Sequence, residues 1–305
     1  MPSLELPIFD GLLRDQPLAR YTAARLGGPA DYLYIAKQPD YGDAIALLEA
    51  TWRRDMPVTL IGGGANVLVA DAGIRGLTVI NRATEIQGQN AGDAVLVQAS
   101  SGTNLIRLTR YCQENGLAGM EWAIAVPGTM GGAAVNNAGA HGSDIASALT
   151  RLLVYEAEGG ERWYDVDSLK YDYRYSWLKY RPDRRFFVMR AELKLRRDDP
   201  ERIQASMDRN SEYRRRTQPP GASLGSIFKN PPGDYAGRLI EAAGLKGLRL
   251  GSVQVSPVHA NFFVNLSADA SASDYFELIQ LVRARVKERY GIILELEIQT
   301  LGAWQ

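Results

Sequence analysis

Two dense glycine clusters constrain this chain more than any other feature, because each brings main chain into a place that side chains cannot share. The first is Gly62-Gly63-Gly64-Ala65-Asn66-Val67, directly after residues 57–61 (PVTLI), a short apolar run that reads as a buried strand. The second is Pro127-Gly128-Thr129-Met130-Gly131-Gly132, followed by Asn136-Asn137-Ala138-Gly139. Without Cβ atoms the backbone can take positive φ and approach a ligand closely, so successive N–H groups can converge on one anion. A diphosphate suits the first loop, and a flat group lying against main chain suits the second. Either cluster alone reads equally well as a tight turn, whereas two of this density point to a binding site. Neither is a common nucleotide motif. The third glycine of a Rossmann fingerprint falls at Val67, no acidic residue follows a second clear strand at the required spacing, and no Gly-Lys-Ser/Thr completes a P-loop.

Strand and helix patterns alternate around these loops. Residues 40–52 place Ile45, Leu48 and Trp52 at helical spacing, while Ile74–Asn81 and residues 94–99 read as strands. Residues 103–115 set Leu105, Leu108 and Cys112 on one helical face, with Gly116 as the C-terminal cap. Segments 152–156 and 161–164 flank Gly159-Gly160 as a hairpin, and 186–195 alternates like a half-exposed strand. Asp199 caps a polar helix that has Pro200 at its first position and runs to Arg216; Pro219-Pro220-Gly221 then opens a C-terminal unit. In that unit residues 273–290 form the clearest helix, striped by Leu278, Val282 and Val286 and capped by Gly291. Segment 294–298 reads as a strand whose alternation puts Glu295 and Glu297 on one face.

A chain of 305 residues is expected to form two or three compact units, since single cores stop growing near about 250–300 residues. The 35 Lys and Arg balance 35 Asp and Glu with no long single-sign block, so no nucleic-acid or membrane-surface footprint exists and an anionic ligand has to be held by local geometry. The single cysteine, Cys112, rules out an internal disulfide and a thiolate metal cluster, and no metal site is expected. No secretory pattern and no run approaching about 20 apolar residues is present, which predicts a cytoplasmic protein without membrane insertion.

Ordered blocks extend the reading: TAARLGGPA (22–30), GGGANVLV (62–69), PGTMGGAAVNNAGAHG (127–142), YRYS (173–176), GSIFKNP (225–231), AGRLIEAAGLKG (236–247), VSPVHANFFVN (255–265) and LELEIQ (294–299). The glycine loops resemble the flavin-binding loops of the family that includes vanillyl-alcohol oxidase. The whole set resembles the UDP-N-acetylenolpyruvoylglucosamine reductase family, in its shorter type without a tyrosine-bearing insertion. That resemblance implies an α+β fold with a two-subdomain FAD-binding portion of the vanillyl-alcohol oxidase type (1–82 and 83–197) and a C-terminal α+β substrate-binding domain (198–305). It implies non-covalent FAD held by Gly62, Gly63, Gly64, Ala65, Asn66 and Val67 and by Pro127, Gly128, Thr129, Gly131, Gly132, Asn137, Ala138 and Gly139. It also implies NADPH as reductant, a UDP-sugar enolpyruvyl ether as substrate, and UDP-N-acetylmuramate for peptidoglycan as product. Neither a nucleic acid nor a membrane is an expected partner, and the chain is expected to be a monomer or weak oligomer.

The implied chemistry assigns residues. Hydride passes from NADPH to flavin N5 and then to the vinyl C3, charge develops on C2 and its carboxylate, and a proton donor with charge stabilisers is required. The resemblance makes Ser226 the proton donor, Arg174 the carboxylate holder and Glu297 the polarising acid, with Tyr173, Lys229, Asn230, His259 and Asn261 as substrate-binding candidates. Tyr155 or residues 173–175 are candidates to cover the substrate. On residue chemistry alone Ser226 is equally a turn serine, Arg174 a solvated charge and His259 a structural histidine, and alternation does not choose between Glu295 and Glu297. Two positions depart from the family pattern: Gln299 stands where arginine is frequent, and His141 where tyrosine is commoner. An alternative is an FAD-dependent oxidase or dehydrogenase of a sugar or hydroxy acid. It fits less well, because removing hydride from an alcohol needs a base, not a proton donor at C2.

Overall fold

The computed structural model describes Leu6 and residues 8–304. Its early elements are β1 (Leu13–Pro17), β2 (Pro29–Ala36), α1 (Gly42–Trp52), β3 (Val58–Ile61), β4 (Val67–Val69), β5 (Ile74–Asn81), β6 (Ile86–Ala91) and β7 (Ala94–Ser100). There follow α2 (Leu105–Glu114), β8 (Leu117–Ala118), α3 (Met130–Asn136), β9 (Gly139–Ala140), β10 (Ser143–Asp144), β11 (Leu149–Glu156), β12 (Gly160–Asp165), α4 (Trp177–Tyr180) and β13 (Phe186–Arg197). The last stretch holds α5 (Pro200–Thr217), β14 (Ala222–Ser226), α6 (Ala236–Ala242), β15 (Arg249–Leu250), β16 (Val253–Val255), β17 (Phe262–Asn265), α7 (Ala272–Tyr290) and β18 (Gln299–Leu301). The chain forms two compact units: residues through Leu13 with Leu33–Gly63 and Gly76–Tyr213, and Arg14–Tyr32 with Gly64–Arg75 and the chain from Arg214.

The first unit is built on an antiparallel sheet of order β12-β11-β13-β7-β6, with β8 also beside β13. Its core gathers Val97, Leu105, Leu108, Leu152, Ala191 and Leu193 with the buried Cys112. The central strand corrects the half-exposed expectation: Phe186 to Met189 are all buried, and so is Glu192, which alternation assigns to solvent. Glu192 is tolerated there because Arg151 grips it bidentately at 2.9 and 2.8 Å, while Gln98 and Thr150 donate at 2.9 and 3.0 Å. A further sheet has the order β1-β2-β5-β3, in which β3 runs parallel to β5 from Val58 beside Leu77 to Ile61 beside Ile80. Its last strand therefore delivers the chain straight into the first glycine cluster.

The second unit packs α6 and α7 on an antiparallel sheet of order β14-β17-β16-β15, with β18 parallel to β4. Leu278, Val282 and Val286 of α7 join Phe228, Val253 and Phe263 in its core. The helix starts where Ser271 accepts the Asp274 N–H at 2.9 Å and stops where Gly291 takes φ +70. Asp71 adds a second N-terminal cap from far along the chain, accepting from the N–H groups of Ala272 and Ser273 at 2.9 and 2.8 Å.

Candidate functional site

Within the first unit the two glycine clusters press on each other. A Cβ on Gly63 would lie 2.7 Å from the Gly128 Cα, and one on Gly62 would lie 2.2 Å from the Thr129 Oγ. Only glycine allows that approach. Gly64 lies in the second unit, where its φ of +67 and a virtual Cβ 1.9 Å from the Tyr21 carbonyl leave no room for a side chain. Ala65 continues the loop to Asn66, whose carbonyl accepts the Gln299 N–H at 2.9 Å and whose side-chain amide donates to the Glu297 carbonyl at 3.2 Å. Val67 begins β4 and pairs with Gln299.

Pro127 leads the second cluster into α3, and two amides there have a use the sequence did not reveal. Met130 N–H donates to the Thr103 carbonyl and Gly131 N–H to the Ser101 carbonyl, both at 2.8 Å, so neither points at a ligand. Gly131 is required instead for packing, since its Cβ would meet the Ser101 Cβ at 2.8 Å. Ser101 anchors the loop from beneath: its hydroxyl donates to the Val188 carbonyl at 2.5 Å, accepts from Asn81 at 2.7 Å and lies 3.2 Å from the Tyr41 hydroxyl. Gly128, at φ +130, and the exposed Gly132 are bare, with nothing within 4 Å of a Gly128 Cβ and ordinary contact at Gly132. Between them the Thr129 hydroxyl is buried without a hydrogen-bond partner among the described residues. An unmet buried hydroxyl costs about 1–3 kcal/mol, which an acceptor-bearing ligand removes. Bare main chain beside it fits a flat, phosphate-bearing cofactor.

Arg174 is brought onto this loop. A turn closes by Asp172 N–H to the Tyr175 carbonyl and Tyr175 N–H to the Asp172 carbonyl, at 3.2 and 3.0 Å, and sets Arg174 at φ +54. The guanidinium donates to the carbonyls of Asn137 and Gly139 at 3.3 and 3.1 Å, and lies over the ring of the half-exposed Tyr173. Asn137, itself left-handed at the end of α3, ties the turn down by donating to the Asp172 carbonyl at 2.9 Å. Ala138 N–H returns to the Ala133 carbonyl at 2.9 Å. Tyr155 is engaged elsewhere, donating to Glu49 and stacking on Trp52. His141 is exposed at φ +54, edge-on to Tyr213.

In the second unit Ser226 ends β14 after Gly225, which takes φ +74. The next residue, Ile227, accepts the Glu297 N–H at 2.8 Å. Two candidate ligands also hold this corner through main-chain bonds. Buried Asn261 accepts from Phe228 N–H at 3.0 Å and donates to the Phe228 carbonyl at 2.8 Å, which uses both ends of its amide on main chain. His259 accepts the Asn261 N–H on Nδ1 at 3.2 Å, packs against Phe262, and is held neutral because burial, with the nearby Lys246 charge, lowers its pKa. Asn230 is exposed and accepts the first N–H of α6, from Ala236, at 3.1 Å. Lys229 pairs with Glu295 at 3.3 Å.

That pairing separates the two acids that alternation could not. The segment 294–298 is not a regular strand; only Leu296 bridges to Phe228. Glu295 is therefore free to turn outward, with a side chain 75% exposed, whereas Glu297 is half-buried beside the Ser226 corner. The second unit thus gathers Ser226, Glu297, Asn261 and Asn66 around one set of main-chain bonds.

Glycine loops with bare main chain and an unmet hydroxyl on an α+β scaffold define a binder of a flat, phosphate-bearing cofactor, and the relatives make it an FAD-dependent oxidoreductase. Residues 34–166 match the FAD binding domain family and residues 217–301 match the UDP-N-acetylenolpyruvoylglucosamine reductase C-terminal domain. The chain is 45% identical to the UDP-N-acetylenolpyruvoylglucosamine reductase of Anaeromyxobacter dehalogenans over 95% of this chain and 85% of that one. It is 42% identical to that of Rubrobacter xylanophilus, over 97% of each. The crystal structure of the Thermus caldophilus reductase superposes with a TM-score of 0.78 at 32% identity, covering 95% of this chain and 98% of the other. This chain belongs to the UDP-N-acetylenolpyruvoylglucosamine reductase family.

Proposed function

We propose that this chain reduces the enolpyruvyl ether of UDP-N-acetylglucosamine enolpyruvate to UDP-N-acetylmuramate, with FAD held non-covalently and NADPH as reductant. Family membership supports the reaction, and the FAD binding domain match over residues 34–166 supports the cofactor. The three-part division at 82 and 197 is kept as part of this reading; the two family matches, at residues 34–166 and 217–301, support the boundary near 197. The bare main chain at Gly128 and Gly132, the Thr129 hydroxyl and the loop from Gly62 to Val67 would hold the FAD. When bound, it supplies hydride transfer from NADPH to the vinyl C3.

The protein's own groups manage charge and proton. Ser226 Oγ gives its proton to C2 as charge builds there, so that carbon never carries a full carbanion. Arg174 holds the substrate carboxylate with its guanidinium, which the carbonyls of Asn137 and Gly139 position. Glu297 polarises that carboxylate from the acidic side. Tyr173, Lys229, Asn230, His259 and Asn261 contribute to the sugar nucleotide's surroundings, and Asn261 and His259 also hold the Ser226 corner in shape. The reading places the protein in the cytoplasm as a monomer or weak oligomer acting on water-soluble nucleotides.

The single observation that carries the assignment is the bond from Glu297 N–H to the Ile227 carbonyl, which fastens the acid to the residue next to Ser226. Ser226→Ala is expected to leave flavin reduction by NADPH nearly intact and to slow reoxidation by the enolpyruvyl substrate by about 10² to 10⁴, the range of general acid catalysis. Stopped-flow absorbance separates the two half-reactions, and equal slowing of both contradicts the role given to Ser226.

A further inference from the structure

The second unit carries an open surface concavity of about 720 Å³ lined by Ala19, Arg20, Thr22, Ala23 and Arg25, with both arginines exposed and none of the five given a role above. Its loop is pinned from several sides. Buried Thr22 donates through its hydroxyl to the Leu26 carbonyl at 2.7 Å and accepts the Leu26 N–H at 3.1 Å. Arg25 N–H closes onto the Thr22 carbonyl at 3.1 Å, and Ala23 N–H fastens the loop to the Gly64 carbonyl at 2.9 Å. This turn puts Arg25 at φ +58, a left-handed conformation that favours glycine, so a cationic side chain stands where backbone geometry alone would select none.

Charge and size then define what the concavity suits. Among the described residues two arginines line it and no acidic side chain does, in a chain whose net charge is zero, so the positive field is local. Guanidinium groups match the spacing of phosphate oxygens and pair with them bidentately. The volume lies in the range of small-molecule sites and exceeds what a phosphate alone would fill, leaving room for an attached nucleoside.

We propose that this concavity is a phosphate subsite for a nucleotide, with Arg20 and Arg25 bound to its phosphate oxygens. The inference rests on the reading that the chain uses a pyridine nucleotide and a sugar nucleotide, and adds an anion site beside the first glycine loop, to which Ala23 is bonded through the Gly64 carbonyl. Arg25→Gly tests it cleanly, since glycine removes the guanidinium and also suits the φ of +58; its melting temperature is expected at or above that of the unchanged protein. If that variant melts lower, Arg20→Ala decides alone. Isothermal titration of flavin-loaded protein uses NADP⁺, NAD⁺ and UDP-N-acetylglucosamine as probes. Each variant is expected to weaken at least one probe by about tenfold or more, the effect of removing a charge-assisted hydrogen bond. Loss for NADP⁺ alone assigns the site to the 2′-phosphate, loss for both dinucleotides to their shared diphosphate, and loss for the UDP-sugar to its diphosphate. Unchanged affinity for all three probes in the double variant overturns the proposal, as does loss of FAD from it, which would place the arginines in the cofactor's own site. Protein that never retains FAD would instead overturn the functional reading.

Discussion

Gly63→Ala isolates a main-chain approach between the two glycine loops. Gly63 does not have positive φ, so alanine accepts its backbone conformation and the whole effect is steric. The new methyl would sit 2.7 Å from the Gly128 Cα and 3.1 Å from its carbonyl carbon, whereas ordinary contact begins at 3.4 Å. Both neighbours are main chain, and neither can rotate away, so the loops must part by about 0.7 Å at the contact. Overpacking of this kind costs about 1–3 kcal/mol of stability. The same shift moves the donors of both loops off line; losing the net worth of one or two hydrogen bonds, about 1 kcal/mol each, weakens flavin binding by about 5- to 30-fold. Gly62→Ala is expected to be milder, because its methyl meets the Thr129 hydroxyl, and that side chain can turn. Urea unfolding of the flavin-free protein reads the first quantity, and titration of FAD by fluorescence quenching reads the second. A Gly63→Ala protein with unchanged midpoint and unchanged FAD affinity would refute the claim that these loops are locked together to make the site.

Gly132→Ala separates folding from binding: its methyl makes only a 3.6 Å contact and lies in a helix, so flavin-free protein is expected to gain about 0.5–1 kcal/mol while FAD affinity falls, and equal affinity removes Gly132 from the cofactor's bed. Asp71→Ala removes the distant cap of α7 at a cost of about 0.5–1 kcal/mol, the low end for a cap because Asp71 is exposed. Burial alone would raise the Asp71 pKa, but the Ser273 and Ala272 hydrogen bonds outweigh it and the net shift is downward; the carboxylate therefore contributes above its unfolded pKa. The difference in melting temperature between the two proteins is expected to close as pH falls below about 4. His259 has the opposite charge type with the same sign: burial lowers its folded pKa, the unfolded chain takes up the proton first, and stability is lost as pH falls below about 6.5. His259→Asn, which keeps an acceptor for the Asn261 N–H, is expected to show a shallower loss between about pH 7 and 5, and identical pH profiles contradict the lowered pKa of the half-buried imidazole.

What the sequence made legible was local. Ile74–Asn81 forms a strand with the bounds its pattern predicts, and α7 stops at Gly291 because cap chemistry is written within one turn of the chain. The Asp199-Pro200 start of α5 is legible for the same reason: Asp199 accepts the Glu201 N–H at 2.9 Å. What was hidden depends on partners far away. Alternation left Glu192 in solvent because its clamp, Arg151, lies on a neighbouring strand. Glycine density suggested ligand contact at Gly131, but the Ser101 carbonyl, on another segment, takes its amide. Asn261 and His259 have ligand-like side chains, and their types did not announce that the Asn261 amide also bonds the Phe228 main chain and that His259 Nδ1 also bonds the Asn261 N–H. The different exposure of Glu295 and Glu297 was hidden from alternation because the segment is irregular and Lys229 pairs with Glu295.

The account depends on a flavin held without a covalent bond by the paired glycine loops. The visible absorbance spectrum of purified protein, taken before and after boiling and removal of the precipitate, measures this directly. Flavin bands at one equivalent per chain, all recovered in the supernatant and identified as FAD, are the predicted result. A colourless protein that does not take up added FAD contradicts the account, and colour that stays with the precipitate contradicts the non-covalent linkage.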